Sequence, residues 1–269
     1  MSVPSLGTAL ITGASAGIGA TYADRLARRG FDLILVARRR AHLDALAARL
    51  SDETGRSVEV VTADLSEKAD LAGVENILKT DASITMLVNN AGVGAVAPLL
   101  QSDVDQMEEM VALNVTALMR LTYAAVPSFV ERGKGTIVNI SSIVAIGPEI
   151  LNGVYGATKS FVLALTQSLH HELAAKGVRV QAVLPGATST EFWDIAGNPV
   201  HNLPAEIVMS VTDMVDAALA GLDIGELATI PSLPDAGDWR TYESARQALM
   251  PNLSHARPAE RYRSKSAAA

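Results

Sequence analysis

The chain contains no cysteine among its 269 residues. Disulfide bridges, thiolate metal sites and cysteine nucleophiles are therefore excluded, and the redox compartment stays open. Basic residues are in deficit, with 22 Lys and Arg against 29 Asp and Glu and a net charge of −7. Non-specific binding to nucleic acids or to anionic membranes requires an excess of cationic side chains, so we expect neither partner.

Long apolar runs are also missing. No stretch approaches the roughly 18 apolar residues of a membrane-spanning helix. The first ten residues, MSVPSLGTAL, lack the basic and apolar regions of a secretion signal. Hydrophobic residues make up 49% and charged residues 19% of the chain, which is ordinary for a globular domain. We expect a soluble, cytoplasmic protein without a metal site.

Short apolar segments alternate with longer segments of helical periodicity. The apolar segments are residues 6–12, 31–37, 57–63, 84–89, 135–141, 178–184 and 226–230, and the helical ones are residues 17–30, 39–54, 66–80, 103–132, 152–176 and 210–221. Most of the apolar segments do not alternate with polar residues, which is typical of strands buried on both faces. The pattern predicts an α/β fold with a single doubly wound Rossmann-type domain and a mainly parallel seven-stranded sheet carrying helices on both faces.

We expect this domain to cover residues 1–250. Residues 186–209 interrupt the alternation and contain Gly, Pro, Thr and large apolar side chains. They predict a long loop with a short helix, and loops of this length are usually functional or mobile. We interpret the segment as a substrate lid. Residues 251–269 are predicted to form a partly disordered C-terminal tail.

The first strand runs into the glycine-rich sequence TGASAGIG, residues 12–19, and then into a helix. Glycines permit a tight turn and a close approach of backbone to a pyrophosphate, and the helix N-terminus attracts anions. Three glycines can also form a plain turn between strand and helix. The position at the first crossover of an alternating chain favours a dinucleotide site.

The end of the second strand bears on the choice of cofactor. An NAD-preferring site normally has a carboxylate here for the ribose 2′-OH, whereas this chain has Ala37 followed by Arg38, Arg39 and Arg40. Arg38 can bind a 2′-phosphate, which favours NADP(H). The arginines also fit a solvated helix start. Asp64 is placed either to accept from the adenine amino group or to cap the next helix.

Tyr155 and Lys159 lie one helical turn apart, and Ser142 precedes Tyr155 by 13 residues, at the end of the fifth strand. An ammonium beside a phenol favours the phenolate, so we expect Lys159 to make Tyr155 more acidic. Ser142 is expected at the ligand-binding edge of the sheet. Its neighbour Ser141 faces the other way in an extended strand.

Asn114 falls within the apolar stripe of the predicted helix 103–132. A buried amide is costly unless it is hydrogen-bonded. It therefore belongs either to a catalytic arrangement or to a plain polar network of the core.

Together these features resemble the ordered motifs of the short-chain dehydrogenases/reductases. The motifs are TGASAGIG at 12–19, Asn89-Asn90-Ala91-Gly92, Asn114, Ser142, Tyr155-x-x-x-Lys159 and Pro185-Gly186. The resemblance covers about residues 6–190. It implies a catalytic tetrad in which Tyr155 is the general acid/base, Ser142 orients the carbonyl, Lys159 binds the nicotinamide ribose and acidifies Tyr155, and Asn114 holds a relay water. It further implies that Asn90 lies near the adenosine ribose and Thr190 at the nicotinamide end, with Thr188 where an aliphatic residue is common.

The residue patterns and the resemblance together give the expected cofactor-binding residues. They are Gly13, Ser15, Ala16, Gly17, Ile18, Gly19, Arg38, Arg39, Asp64, Leu65, Asn90, Ala91, Gly92, Tyr155, Lys159, Pro185, Gly186, Thr188 and Thr190.

The expected substrate pocket is formed by Ser142, Val144, Phe192 and Trp193, flanked by Ile143, Val154, Leu203 and Ile207. These mostly apolar side chains favour a small apolar or aromatic carbonyl compound or alcohol. Phe192 and Trp193 fit equally well as core anchors of the lid.

The predicted reaction is NADP(H)-dependent hydride transfer between an alcohol and a ketone or aldehyde. The resemblance also implies a homodimer or homotetramer. A non-catalytic NADP(H)-binding sensor on the same fold is the alternative, since fold alone does not fix function. The extended epimerases and dehydratases are a further alternative, but they generally have a larger C-terminal substrate domain.

Overall fold

Seven parallel strands form one sheet in a computed structural model of the chain, which describes residues 6–263. Their order is β3-β2-β1-β4-β5-β6-β7, so the chain reverses direction across the sheet between β1 and β4. The strands are β1 (Thr8–Thr12), β2 (Asp32–Ala37), β3 (Val58–Thr62), β4 (Ile84–Asn89), β5 (Gly135–Ile140), β6 (Val178–Val183) and β7 (Ala228–Thr229). The predicted doubly wound Rossmann-type fold is confirmed.

Helices connect these strands on both faces of the sheet. They are α1 (Gly17–Arg28), α2 (Arg40–Thr54), α3 (Lys68–Thr80), α4 (Val104–Val111), α5 (Leu118–Glu131), α6 (Gly153–Leu173), α7 (Phe192–Ala196) and α8 (Val211–Asp223). A further helix, α9 (Ala236–Ala248), follows the last strand. Helices α1, α2 and α8 bury apolar side chains in the core on one face, including Leu26, Leu43 and Met214. Helices α3, α5 and α6 do so on the other, including Leu71, Phe129 and Leu169.

The central strands are buried along nearly their whole length, as their continuous apolar sequences predict. Strand β3 is more exposed because it lies at one edge of the sheet. The predicted strand and helix segments differ from the observed elements by at most two residues at most of their ends.

The predicted helix 103–132 is interrupted. Between α4 and α5 the chain makes a π-helical turn, Ala112–Ala117. The segment Val104–Glu131 is long and apolar enough, by length and composition alone, to cross a membrane, so the expectation that no stretch reaches that length was wrong. Core helices of globular domains have the same property, and α5 buries Leu121 and Phe129 in the core.

The chain divides into two compact units, with the boundary between Pro231 and Ser232. The first contains the sheet. The second contains α9, none of whose residues is buried, and two short 3₁₀ turns, Met250–Asn252 and Glu260–Tyr262. The predicted tail is exposed from residue 251 to residue 263, and residues 1–5 and 264–269 lie outside the described range.

Candidate active site

The ends of β1 and β4 meet where the chain reverses direction across the sheet, which is where ligands bind in folds of this type. The Thr12 hydroxyl accepts the backbone N–H groups of Asn90 and Ala91, both at 3.0 Å. The Asn90 amide donates to the carbonyls of Thr12 at 2.9 Å and Gly13 at 3.2 Å. Asn90 therefore fixes the shape of the glycine-rich loop. Thr12, which sequence reasoning did not single out, does so from the other side.

The glycine-rich loop has no room for a side chain at Gly13 or Gly19. Gly13 has φ +66°, and a Cβ there would lie 2.8 Å from Asn90 Nδ2. A Cβ on Gly19 would clash with the carbonyl oxygen of Gly13. Ala16 precedes α1 without a side-chain cap, so the first N–H groups of that helix have no capping side chain. The glycine-rich loop, residues 12–19, and the uncapped N–H groups at the start of α1 together fit a pyrophosphate. We call this loop the glycine cradle.

The other residues expected in this loop occupy supporting positions. Ile18 is partly buried against the core, and Leu65 is buried beside α3. Ala91 packs against the same core as Leu65. A Cβ on Gly92 would approach both Asn114 Oδ1, at 3.0 Å, and Lys159 Nζ, at 3.5 Å. Gly92 therefore joins the loop after β4 to the residues expected to be catalytic.

Arg38 and Asp64 face each other at the ends of β2 and β3. Arg38 Nη1 lies 3.6 Å from Asp64 Oδ2, and two-thirds of the arginine side chain is exposed. The other Asp64 oxygen accepts the backbone N–H of Ser66 at 3.0 Å. Asp64 thus shapes the turn before α3 but does not cap that helix, whose N-cap residue is Glu67. Arg38 remains largely open to solvent.

Arg39 reaches two partners on different segments. Its Nε lies 3.3 Å from the hydroxyl of Ser15 in the glycine-rich loop. Its Nη1 lies 3.0 Å from a carboxylate oxygen of Glu191, which stands just before α7. Arg40, by contrast, pairs with Asp44 one turn along its own helix. Arg38 and Arg39, together with Ser15, therefore form the cationic end of the glycine cradle.

The segment after β6 lies across this edge of the sheet. The Pro185 carbonyl accepts the N–H of Ile143 at 3.0 Å, and the Gly186 carbonyl accepts the Thr188 hydroxyl at 3.2 Å. The Thr188 carbonyl accepts Nε1 of Trp193 at 3.0 Å. The indole of Trp193 is thus an anchor of the segment, one of the two roles that the sequence left open.

Thr190, in the same segment, contacts the glycine-rich loop. A Cβ on Gly17, which has φ +53°, would lie 3.2 Å from the Thr190 methyl carbon. The Thr190 hydroxyl accepts the N–H of Phe192 at 3.3 Å, at the start of α7. The predicted lid, residues 186–209, therefore approaches the glycine-rich loop at Gly17, where α1 begins.

Ser142, Tyr155 and Lys159 come together at the carboxyl edge of the sheet and are all buried. The Ser142 hydroxyl accepts the Val144 N–H at 3.3 Å and faces the Pro185 carbonyl at 3.4 Å. It is also near enough to the Tyr155 side chain to lower the pKa of the phenol. Lys159 Nζ donates to the Ile140 carbonyl at 3.0 Å and lies 5.7 Å from the centroid of the Tyr155 ring.

The acidity of Tyr155 is set mainly by burial. Burial raises the pKa of its phenol to about 12, and Ser142 opposes that rise. Burial also lowers the pKa of Lys159 to about 8, because the interior disfavours the ammonium. Loss of hydration thus dominates the pKa of Tyr155, and Ser142 is the group that lowers it. The acidifying effect expected of Lys159 stays a prediction. The phenol stays protonated at neutral pH and is ready to donate.

Asn114 lies in the π-helical turn between α4 and α5. Its Oδ1 accepts the Val93 N–H at 2.9 Å, and its Nδ2 donates to the Val93 carbonyl at 2.8 Å and faces the Thr158 hydroxyl at 3.2 Å. The amide thus clamps the backbone after β4 to α6. Short π turns are common at functional sites, and this one directs a polar side chain into an otherwise apolar stripe.

Sequence reasoning missed Asn152. It caps α6 by accepting the N–H groups of Val154 and Tyr155, and its amide donates to the Ala97 carbonyl at 2.6 Å. Asn152 therefore fixes the start of α6, the helix that carries Tyr155. An Asn directly before a helical segment is an ordinary capping signal that could have identified it.

A second missed feature is a buried polar chain that joins the sheet to its helices. Asn89 Nδ2 faces Asn139 Oδ1 at 2.9 Å and the Thr122 hydroxyl at 3.1 Å, and Asn139 Nδ2 donates to Thr166 at 2.9 Å. The Ser141 hydroxyl donates to the Lys159 carbonyl at 2.8 Å. These bonds hold β4, β5, α5 and α6 in fixed register beneath the site.

An apolar cluster surrounds the phenol of Tyr155. It consists of Val93, Ala95, Met107, Met110, Val144, Leu151, Tyr155 and Phe192. The Phe192 ring lies 5.7 Å from the Tyr155 ring and lies over Gly94, where a Cβ would clash with it. Val144 and Phe192 were expected in the pocket, whereas Met107 and Met110 were not among the residues expected there. Ile207, expected to flank the pocket, is 57% exposed.

Comparisons with known proteins agree with this geometry. The family model described as short chain dehydrogenase matches residues 7–198. A very-long-chain 3-oxoacyl-CoA reductase from Anas platyrhynchos is 34% identical over 203 residues, covering 72% of this chain and 64% of that protein. This chain therefore matches less than two-thirds of the length of that relative. A serine 3-dehydrogenase from Rhizobium radiobacter is 37% identical, covering 69% of this chain and 74% of that one.

Solved structures match over more of the chain. A short-chain dehydrogenase from Sphingobium yanoikuyae in complex with NADPH has 53% identity and a TM-score of 0.93, covering 96% of this chain and all of that one. A bulky-bulky ketone specific alcohol dehydrogenase from Comamonas testosteroni has 49% identity and a TM-score of 0.88, covering 96% of this chain and 98% of that one. The chain belongs to the short-chain dehydrogenase family of oxidoreductases.

Proposed function

We propose that this protein is an NADPH-dependent carbonyl reductase that interconverts apolar or aromatic ketones or aldehydes and their alcohols. The single observation that carries the proposal is the position of Tyr155. Its phenol is buried in an apolar cluster, has Ser142 near enough to lower its pKa, and lies at the sheet edge next to the glycine cradle.

NADPH is the proposed cofactor. The glycine cradle fits a pyrophosphate, and Arg38 and Arg39 provide two guanidinium groups where a 2′-phosphate would bind. No carboxylate stands at the end of β2 in the described chain, where Ala37 is followed by Arg38. The relative from Sphingobium yanoikuyae, at 53% identity, was solved with NADPH. Tyr155, Lys159 and the segment Pro185–Thr190 would hold the nicotinamide half.

When bound, this cofactor supplies a hydride to the carbonyl carbon. The residues of the chain bind and protonate the carbonyl oxygen. Ser142 donates a hydrogen bond to the carbonyl oxygen, and Tyr155 transfers its phenolic proton to that oxygen as negative charge develops there. Burial raises the pKa of the phenol to about 12, so the phenol is protonated at neutral pH. This state suits proton donation in the reductive direction. General acid catalysis of this kind contributes about 10²–10⁴-fold.

The apolar cluster indicates the substrate class. Met107, Met110, Val144, Leu151 and Phe192 offer dispersion and hydrophobic contact. A ketone or aldehyde with an apolar or aromatic substituent therefore suits the site better than a carboxylate or phosphate. The name of the relative from Comamonas testosteroni, with its bulky ketones, supports this class.

The test is oxidation of NADPH over a panel of apolar, aromatic and charged carbonyl compounds, with NADH in parallel. We expect carbonyl-dependent oxidation of NADPH, strongest with apolar and aromatic ketones or aldehydes. Tyr155→Phe should lower the rate by at least 10²-fold and leave NADPH binding within a few-fold of the parent. NADPH binding without turnover on any compound would instead favour the sensor alternative.

A further inference from the structure

We infer that Glu191 competes with the 2′-phosphate of the cofactor for Arg39 and thereby weakens the binding of NADPH relative to NADH. The inference rests on the proposed function, because it concerns the proposed 2′-phosphate site. Glu191 was not among the residues expected from the sequence.

The contacts of the three arginines after β2 distinguish Glu191. Arg40 pairs with Asp44 on its own helix, and Arg38 pairs with Asp64 at the end of the neighbouring strand. Both pairs are local to this side of the sheet. Arg39 instead pairs with Glu191, which follows β6, three strands beyond β1 in the sheet order. This pair therefore joins opposite sides of the cradle.

The position of the pair makes it relevant to an anion. Arg39 contacts Glu191 through Nη1 at 3.0 Å and Ser15 through Nε at 3.3 Å. The guanidinium edge and the Ser15 hydroxyl are donors suited to phosphate oxygens. A phosphate held by these donors has the Glu191 carboxylate for a neighbour. Like charges at such a distance disfavour the bound state unless Glu191 releases Arg39 first.

The neighbouring contact supports the same placement. Thr190, directly before Glu191, packs its methyl group towards Gly17 of the glycine-rich loop. This contact keeps the backbone of the next residue, Glu191, beside the glycine cradle. The Arg39 and Glu191 side chains are 43% and 59% exposed, so solvent screens the pair and the effect on affinity is limited to a few-fold.

The competition has a consequence for turnover. A carboxylate that pairs with Arg39 again as the oxidised cofactor leaves would assist its release, and product release limits the rate of many enzymes. Glu191 would thus trade NADPH affinity for faster exchange. NADH, which lacks the 2′-phosphate, should not respond to Glu191.

The experiment compares Glu191→Gln with the parent in direct titrations with NADPH and with NADH, without substrate. We expect NADPH to bind three- to fivefold more tightly to Glu191→Gln and NADH to bind unchanged. Glu206→Gln, which neutralises an exposed carboxylate of the same segment, is the matched control and should alter neither affinity. In an Arg39→Gln background, Glu191→Gln should no longer tighten NADPH binding.

Three results would overturn the inference: unchanged NADPH affinity, weaker NADPH binding, or equal tightening of NADPH and NADH. The last would mean that Glu191 acts on the segment as a whole and not on the 2′-phosphate site. A parent protein that binds neither nucleotide would instead refute the proposed function, so the two failures are distinguishable.

Discussion

Lys159 Nζ lies 5.7 Å from the centroid of the Tyr155 ring and is held there by the backbone carbonyl of Ile140. Both side chains are buried. Burial raises the pKa of Tyr155 and lowers the pKa of Lys159, because it favours the neutral form of each group. Keeping Lys159 charged at neutral pH therefore costs stability, whereas Tyr155 is neutral at that pH in both the folded and the unfolded chain.

Replacing Lys159 by Met should stabilise the fold and abolish activity. The folded-state pKa of Lys159 is about 8, below its ordinary value of 10.5. Between these pH values the unfolded chain binds more protons, so the stability of the parent rises with pH. The gain of Lys159→Met, about 1–2 kcal/mol at pH 7, should shrink as pH rises from 8 to 10.5. Urea unfolding at pH 7 and pH 9.5 measures it.

Lys176→Met is the control for that experiment, because Lys176 is an exposed lysine just beyond α6. Its effect on stability should be within about 0.5 kcal/mol and should not change between the two pH values. A Lys159→Met variant that is less stable than the parent at both pH values would contradict the argument from burial.

Gly19→Ala should damage the glycine cradle. The added Cβ would clash with the Gly13 carbonyl and lie 2.6 Å from Asn90 Nδ2. Backbone cannot yield as a flexible side chain can, so we expect a loss of about 1–3 kcal/mol of stability and at least tenfold weaker NADPH binding. Thermal unfolding and nucleotide titration measure the two effects.

Gly73→Ala is the matched control, since a Cβ at that position on α3 meets nothing within 4 Å. Alanine is the better helix former, so this variant should gain up to about 1 kcal/mol and bind NADPH normally. If Gly19→Ala behaved like Gly73→Ala, the loop would have more freedom than its contacts indicate.

Phe192→Ala should change which carbonyl compounds are accepted. The Phe192 ring lies against the Tyr155 ring and meets Trp193 edge-on at 5.6 Å, so its removal widens the apolar cluster next to the phenol. We expect kcat/KM for ketones with a large aromatic substituent to rise about tenfold relative to small ketones. Steady-state kinetics with a graded series of ketones measures the ratio.

Ile195→Ala, on the same short helix but 65% exposed, is the control and should leave that ratio unchanged. An unaltered ratio in Phe192→Ala would place the substrate away from this ring. NADPH affinity in both variants should match the parent, which separates a change in the pocket from a disturbance of the cradle.

The sequence predicted the fold well because its strands are buried on both faces. Continuous Val, Ile and Leu runs separated by helical segments allow few arrangements other than a parallel sheet with helices on both sides. Strand β4, predicted at residues 84–89, is observed as Ile84–Asn89. Short motifs placed Tyr155, Lys159 and Ser142 together because each follows a strand or lies on one face of a helix.

Other features could not be predicted because they depend on contacts between distant segments. The pairing of Glu191 with Arg39 requires β2 and β6 to be folded into one sheet. The high pKa of Tyr155 depends on the packing of Phe192, Val144 and Met110 around the phenol. A Tyr-x-x-x-Lys spacing shows that the two groups are neighbours but not how far water is excluded from them.

The π turn at Ala112–Ala117 has a consequence for the whole length of the connection between β4 and β5. A wide turn of this kind accommodates one residue more than a regular helical path. Shortening it by one residue would rotate everything upstream by about 100° and carry the Asn114 amide away from Val93. The extra residue of the π turn thus sets the rotation of α4 relative to α5 about the helix axis.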